Sequence, residues 1–336
     1  MLFQSLVWGL LALLPAQSQP PKFRAVPLES LGGSTPSVVD INERGVSVGT
    51  ASSAGGAQTA ACWDSAGKLT VLGRKSTLVT TTVANAINDA GVVAGGVFWR
   101  DWTGLPAVWI LPNDGQPLAW PRKASAFDVN ARGDLLLRVD SLLTQGGAIL
   151  KRDGSTVAVL NGQTHAVRAL ADDGRVCGER LVGSVWVAFR WSEQVGIQDL
   201  EMPQGIIEAV ASGIRDDGEI VTGYVGDSAN RWPVTWDAQR RIRYLPPSSS
   251  VQSDEGYAEA VNASGWVVGS RILAGDGLNA VGTLWFEGVS YELEDLIVEG
   301  LPMKVLLAHG LNDQGQIVGL GMGAGGTTTA IRLDPL

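Results

Sequence analysis

The side chains able to do chemistry gather at one recurring position. Val39, Asn85, Phe127, Arg168, Ser212, Glu259 and His309 follow one another at intervals of 41 to 50 residues. Each stands six residues before a glycine: Gly45, Gly91, Gly133, Gly174, Gly218, Gly265 or Gly315. Neighbouring positions in these segments are uniform, whereas this one differs in every copy. Arg168, Glu259 and His309 together suit an acidic or polyhydroxyl ligand, and they also offer an acid/base pair. The plainer alternative is that all seven side chains hydrate a water-filled channel. A second candidate is the segment Gly96-Val97-Phe98-Trp99-Arg100-Asp101-Trp102. Trp99, Arg100 and Trp102 in a surface loop have the composition of binding anchors, and a sugar face stacks well on Trp. Trp99 and Trp102 equally suit caps folded over the end of a sheet, and Trp186 and Trp232 suit caps better than contacts.

Other chemistry is excluded by what the chain lacks. There is no Gly-rich phosphate loop, no Ser nucleophile elbow and no zinc signature, so no cofactor and no metal are expected. Gly-Met-Gly-Ala-Gly-Gly at 321–326 precedes a strand and no helix, which rules out a nucleotide loop. Asp172-Asp173 and Asp216-Asp217 admit a calcium reading, but turn chemistry accounts for them more simply. Only two cysteines occur, Cys62 and Cys177, in repeats expected on nearly opposite sides of a ring, so both are expected to be unpaired thiols. Acidic residues outnumber basic ones, 34 to 25, which argues against a nucleic-acid partner. The one basic cluster, Arg240-Arg241-Arg243, falls at an expected hairpin turn.

The elements that must position the candidates are strands. Each copy begins with a short segment such as Val38-Val39-Asp40-Ile41 or Ala84-Asn85-Ala86-Ile87. Alternation gives one small face throughout and one face of Ile, Leu or Val. A turn follows, usually Asn-x-x-Gly, in which Asn bonds its own backbone and Gly accepts a positive φ. The second strand is rich in Val and Ile and ends in Gly49, Gly95, Gly178, Gly223, Gly269 or Gly319, with Leu137 in repeat 3. The third strand carries Trp63, Trp109, Trp191, Trp236 or Trp285, with Leu150 and Arg332 assigned to that place in repeats 3 and 7. These Trp are expected to pack between sheets. A fourth strand ends in Leu or Trp.

Four short antiparallel strands in about 45 residues match one blade of a β-propeller. The fold expected is all-β: a seven-bladed β-propeller of four-stranded antiparallel blades. Repeat 7 stops after its third strand, at Ala330 to Leu333. Phe23-Arg24-Ala25-Val26-Pro27-Leu28 would supply the missing strand and close the ring from the amino terminus.

Residues 1–18 read as a secretory signal peptide, with an apolar run from Leu6 to Leu14 and a small-x-small site at Ala16-Gln17-Ser18. Residues 19–336 read as one seven-repeat domain. No later apolar segment is long enough to span a bilayer. A secreted, extracellular or periplasmic monomer is expected.

The pattern Ala-x-x-Ile-Asn-x-x-Gly-x-Val-x-Gly, followed by a strand ending in Trp, resembles the HAF repeat of bacterial extracellular proteins. Ala84 to Gly95 with Trp109, and Ala258 to Gly269 with Trp285, carry it most clearly. The resemblance covers residues 23–333, although repeat 3 lacks the second Gly and the Trp, and only Phe189 supplies the Phe before the Trp. It implies a secreted, propeller-like protein and no particular activity. The leading expectation is a binding module that recognises a glycan or an extracellular protein through its loop-rich face. Alternatives are an extracellular enzyme of the polysaccharide lyase or glycoside hydrolase kind using Glu259, His309 and Arg168, and a structural cell-envelope protein.

Overall fold

The computed structural model describes residues 19–33, 36–73, 80–99, 104–111, 116–118, 124–140, 145–159, 165–247, 255–272, 280–323 and 325–336. The expected signal peptide lies outside them, as do Arg100 and Trp102. The described chain is almost entirely antiparallel strand and turn, with a single helical turn at Leu293–Leu296.

The first strands of the seven repeats are Ser37–Ile41, Thr81–Ile87, Ala124–Val129, His165–Leu170, Glu208–Ile214, Gly256–Val261 and Lys304–Leu311. Each pairs antiparallel with its second strand, the second with a third, and the third with a short outer strand. Repeats 4 and 5 share one eight-stranded sheet through a parallel bridge from Trp186 to Glu208. In repeat 7 the third strand, Thr328–Pro335, pairs antiparallel with Phe23–Pro27, in register from Phe23 opposite Pro335 to Pro27 opposite Ile331. The N-terminal strand therefore stands where the other repeats place their own fourth strand. The equivalence extends past the strand. Leu28 N donates to Ala330 O as Leu72 N does to Ala60 O, Leu200 N to Ala188 O and Leu245 N to Pro233 O. Unforeseen in the sequence, Ile297–Gly300 adds in parallel to Phe23–Ala25 and covers the edge that the N-terminal strand would otherwise expose.

The core is not one nucleus. Among the described residues, apolar side chains form seven clusters, each filled from two neighbouring repeats. Repeat 1 meets repeat 2 through Val48, Ala60 and Cys62 against Ala84, Val93 and Trp109. Repeat 7 meets repeat 1 through Val318, Ala330 and Leu28 against Val38, Ala61 and Trp63. All five repeat Trp are buried in these seams. Four also send their indole N–H back to the connection from the preceding repeat: Trp63 to Glu29 O, Trp109 to Gly73 O, Trp236 to Glu201 O and Trp285 to Pro246 O. Burying the ring without stranding its N–H is what lets Trp serve there. Cys62 and Cys177 lie in separate seams and are both buried and unpaired.

Register corrects one assignment. Trp63, Trp109, Trp191, Trp236 and Trp285 pair with Ser47, Val93, Val176, Val221 and Val267. The corresponding residue of repeat 7, opposite Ile317, is Leu333 and not Arg332. Arg332 instead matches Arg190, one position earlier. Both are buried, and both reach carbonyls of the next repeat's turns. Arg190 donates to Gly218 O and Ala238 O, and Arg332 to Gly45 O and Ser65 O.

Candidate functional site

The site begins with a defect in the strands. In all seven repeats the pairing of first and second strands slips by one residue at the same place, between Val38 and Asp40 in repeat 1 and between Ala308 and Gly310 in repeat 7. The residue left unpaired by each bulge is Val39, Asn85, Phe127, Arg168, Ser212, Glu259 or His309. A bulge bends its strand and re-aims the extra side chain. Here it turns all seven toward one space. The glycine across from the bulge has a matching cause. A Cβ at Gly49, Gly95, Gly178, Gly223, Gly269 or Gly319 would fall inside a first-strand backbone carbonyl. Repeat 3 carries the buried Leu137 there and still keeps its bulge.

The seven residues line two cavities that share them. One, of about 380 Å³, is completed by Val210 and Tyr224. The other, of about 280 Å³, is lined by the first strands and turns of all seven repeats. The bulge residues thus form the junction between a mouth chamber and a turn-side chamber.

The turns that frame the second chamber tie each repeat to the next. The turn glycines take φ between 71° and 91°, as a tight turn requires. Asn42 Oδ1 accepts from Arg44 N and Val46 N within its own turn, while its Nδ2 donates to Asn88 O. Asn88 reaches Asn130 O, Asn130 reaches Ala171 O, Asn262 reaches Asn312 O, and Asn312 reaches Asn42 O. The turn Asn is a local cap on one side and a cross-repeat tie on the other. Where Asn is missing, Asp172 N donates to Asp216 O and Arg175 pairs with Glu219. The next side chain continues the pattern: Asp89 accepts from Glu43 N, Asp172 from Ala131 N, Asp313 from Ala263 N and Glu43 from Asp313 N. Turn and cross-repeat bonds therefore account for Asp172, and among the described residues no group of three His, Cys, Asp or Glu is placed to hold a metal ion.

The first-strand face expected to be small throughout is not. Asp40 and Asp128 break it, and each carboxylate accepts the N–H of the following residue and one from the next repeat, Ile87 and Leu170 respectively. Burial pushes Asp40 up to about 6 and Asp128 up to about 7, against the lowering effect of those N–H donors. Burial and the carboxylates facing it push Asp216 up to about 6.

At the mouth, several donors have protein partners. Arg168 makes a bidentate pair with the buried Glu179, through Nη2 to Oε1 at 2.6 Å and Nε to Oε2 at 3.1 Å. Asn85 Nδ2 donates to Ala126 O, and Tyr224 OH donates to Glu208, which also takes Arg231 Nε. Phe127 lies under Arg138 at 5.2 Å and Tyr224 under Arg231 at 5.7 Å; Tyr257 meets Tyr224 edge-on. Among the described residues, the Glu259 carboxylate, the His309 imidazole and the Ser212 hydroxyl make no hydrogen bond to the protein. Burial raises the pKa of Glu259 and lowers that of His309. Both shifts favour the neutral form.

The structure therefore brings together Asn85, Phe127, Arg168, Ser212, Glu259 and His309, with Val39. It does not bring Trp99 to them. Trp99 is half-buried against the seam between repeats 1 and 2, and Trp232 packs on the seam between repeats 4 and 5. Glu179, Tyr224 and Glu208 were missed because each acts through a partner on a neighbouring strand, which only pairing reveals.

No protein-family model and no curated protein matches the chain. Solved structures do. The β-propeller domain of the Trilobed protease from Pyrococcus furiosus superposes with a TM-score of 0.56 at 12% identity, covering 89% of this chain and 93% of that one. A catalytically inactive histidine-to-alanine virginiamycin B lyase from Staphylococcus aureus, bound to quinupristin, gives 0.55 at 12% identity, covering 94% and 100%. TolB from Acinetobacter baumannii gives 0.48 at 12% identity over 90% of this chain, which spans 63% of that protein. The fold is that of a β-propeller.

Proposed function

We propose that this chain is an exported, seven-bladed β-propeller whose ring is closed by the N-terminal strand, and that it binds a glycan at the mouth of its central channel. The pairing of Phe23–Pro27 with Thr328–Pro335 and the seam between repeats 7 and 1 support the closed ring. Membership of the HAF-repeat family and a periplasmic or extracellular monomer belong to the same reading. No helix among the described residues is long and apolar enough to cross a membrane.

One observation carries the binding site: seven dissimilar side chains, one per repeat, are turned by identical bulges into a shared cavity. Its 380 Å³ falls at the lower end of small-molecule sites, roughly 300–1,000 Å³. Hydroxyl groups of a sugar suit Ser212, Asn85, Glu259 and His309, and the faces of Phe127 and Tyr224 suit a pyranose ring. The test is binding to a broad array of glycans and cell-wall polysaccharides. Glu259→Gln and His309→Ala are expected to weaken binding at least about tenfold. Loss with Trp99→Ala and Trp102→Ala instead would move the site to that loop. Absence of all binding would remove the glycan in favour of a protein partner.

A second reading has its own support. Glu259 and His309 sit in adjacent repeats and line one cavity, and burial favours the neutral form of each, a carboxyl able to give a proton and an imidazole able to take one. A lyase with the same fold depends on a histidine. Turnover of a bound polysaccharide, abolished by either substitution, would establish an enzyme.

A further inference from the structure

We infer, resting on the channel-mouth glycan reading, that the ligand presents an ammonium group to Glu259: the site selects an amine-bearing sugar and rejects acidic ones. The argument is an inventory of donors and acceptors. The strong donors at the mouth are largely turned to the protein, with Arg168 Nη1 left over. Asn85 spends its amide N–H on Ala126 O, Arg168 spends Nε and Nη2 on Glu179, and Tyr224 spends its hydroxyl proton on Glu208. What remains facing the cavity beside Arg168 Nη1 is acceptor-rich: the carbonyl end of Asn85, the unpartnered Glu259 carboxyl, which an incoming ammonium draws into its ionised form, and Ser212 and His309, which can act either way.

Charge points the same way. Among the described residues, Arg168 is the only guanidinium lining either chamber, and its charge is matched by Glu179. Eight carboxylates line the turn-side chamber, Glu259 among them. An anionic sugar would meet that field with the charge of Arg168 already matched by Glu179. A cation enters down the gradient. The acidic ligand that Arg168 suggested in the sequence is therefore set aside.

The experiment is titration calorimetry of the whole chain with three tetrasaccharides: β-1,4-linked glucosamine with its amines protonated, the fully N-acetylated form, and cellotetraose. The glucosamine tetramer is expected to bind at least about tenfold tighter than the other two. Glu259→Gln, with its melting temperature measured alongside, is expected to remove that preference. Equal or tighter binding of the N-acetylated or neutral tetramer overturns the ammonium inference and leaves the glycan reading standing. Preference kept in folded Glu259→Gln also overturns it. Binding of none of the three overturns both.

Discussion

At the residue scale, the turn Asn and the channel Asp show how one side chain serves two repeats. Asn88 accepts Val92 N in its own turn and donates to Asn130 O in the next. At about 1 kcal/mol net per bond, plus the cost of leaving a buried carbonyl unmet, Asn88→Ala is expected to destabilise by about 2–4 kcal/mol in denaturant unfolding. Asn88→Asp keeps the turn acceptor and loses only the cross-repeat donor. It should cost less than Ala if the turn bond dominates, and as much or more if the tie does. Asp128 gives a prediction in pH. Its folded pKa, about 7, lies above the ordinary 3.8, so the folded state holds the proton more tightly than the unfolded one. Its contribution is full below pH 3.8 and is lost as pH rises through 7, and Asp40 acts likewise through about 6. The difference in melting temperature, Asp128→Asn minus wild type, is expected to grow more positive by a few degrees from pH 4 to pH 8. A flat or falling difference would show that its two N–H donors outweigh its burial.

At the scale of elements, the N-terminal strand is the piece on which the arrangement depends. Phe23, Ala25 and Leu28 are buried, and Glu29 O receives the indole of Trp63. Losing buried Phe23 and Leu28 costs about 5–10 kcal/mol together, comparable to the whole stability of a typical domain, about 5–15 kcal/mol. Deleting residues 22–30 is therefore expected to leave the protein unfolded or aggregated, as read by circular dichroism and light scattering. A truncated chain with the wild-type melting temperature would mean that Ile297–Gly300 or another segment closes repeat 7 unaided. The same strand explains why Pro27 is tolerated: it stands at the strand's end, opposite Ile331, where one missing N–H disturbs little.

At the scale of the whole molecule, the scaffold's bonds and the candidate site are separated in space. The apolar seams lie between repeats, and the polar ties run around the turn side of the channel. Apart from the bond of Asn85 to Ala126 O, the bulge position carries neither duty, so it can differ in each repeat while the scaffold stays constant. That freedom made the candidate ring visible in the sequence: a position that varies among uniform neighbours is one the scaffold does not need. The strand order, the four-strand unit, the burial of the five Trp, the two free thiols and the N-terminal completion of repeat 7 were legible for a related reason. Each follows from local periodicity or from a repeat that ends one strand short. Local pattern could not reveal the bulge, because a bulge is a relation between two strands, two residues on one standing against one on the other. Nor could it show that Arg168 faces Glu179, that Asp40 and Asp128 reach the next repeat, or that Arg332 sits one residue away from the Trp position. Those are relations between residues 11 to 47 positions apart, fixed only when the sheets pack. The sequence by itself determined the repeating strands and which seven residues would stand apart. The tertiary structure alone decided what those residues face, because side-chain direction at a bulge and the pairing of charges across repeats are set by register and packing.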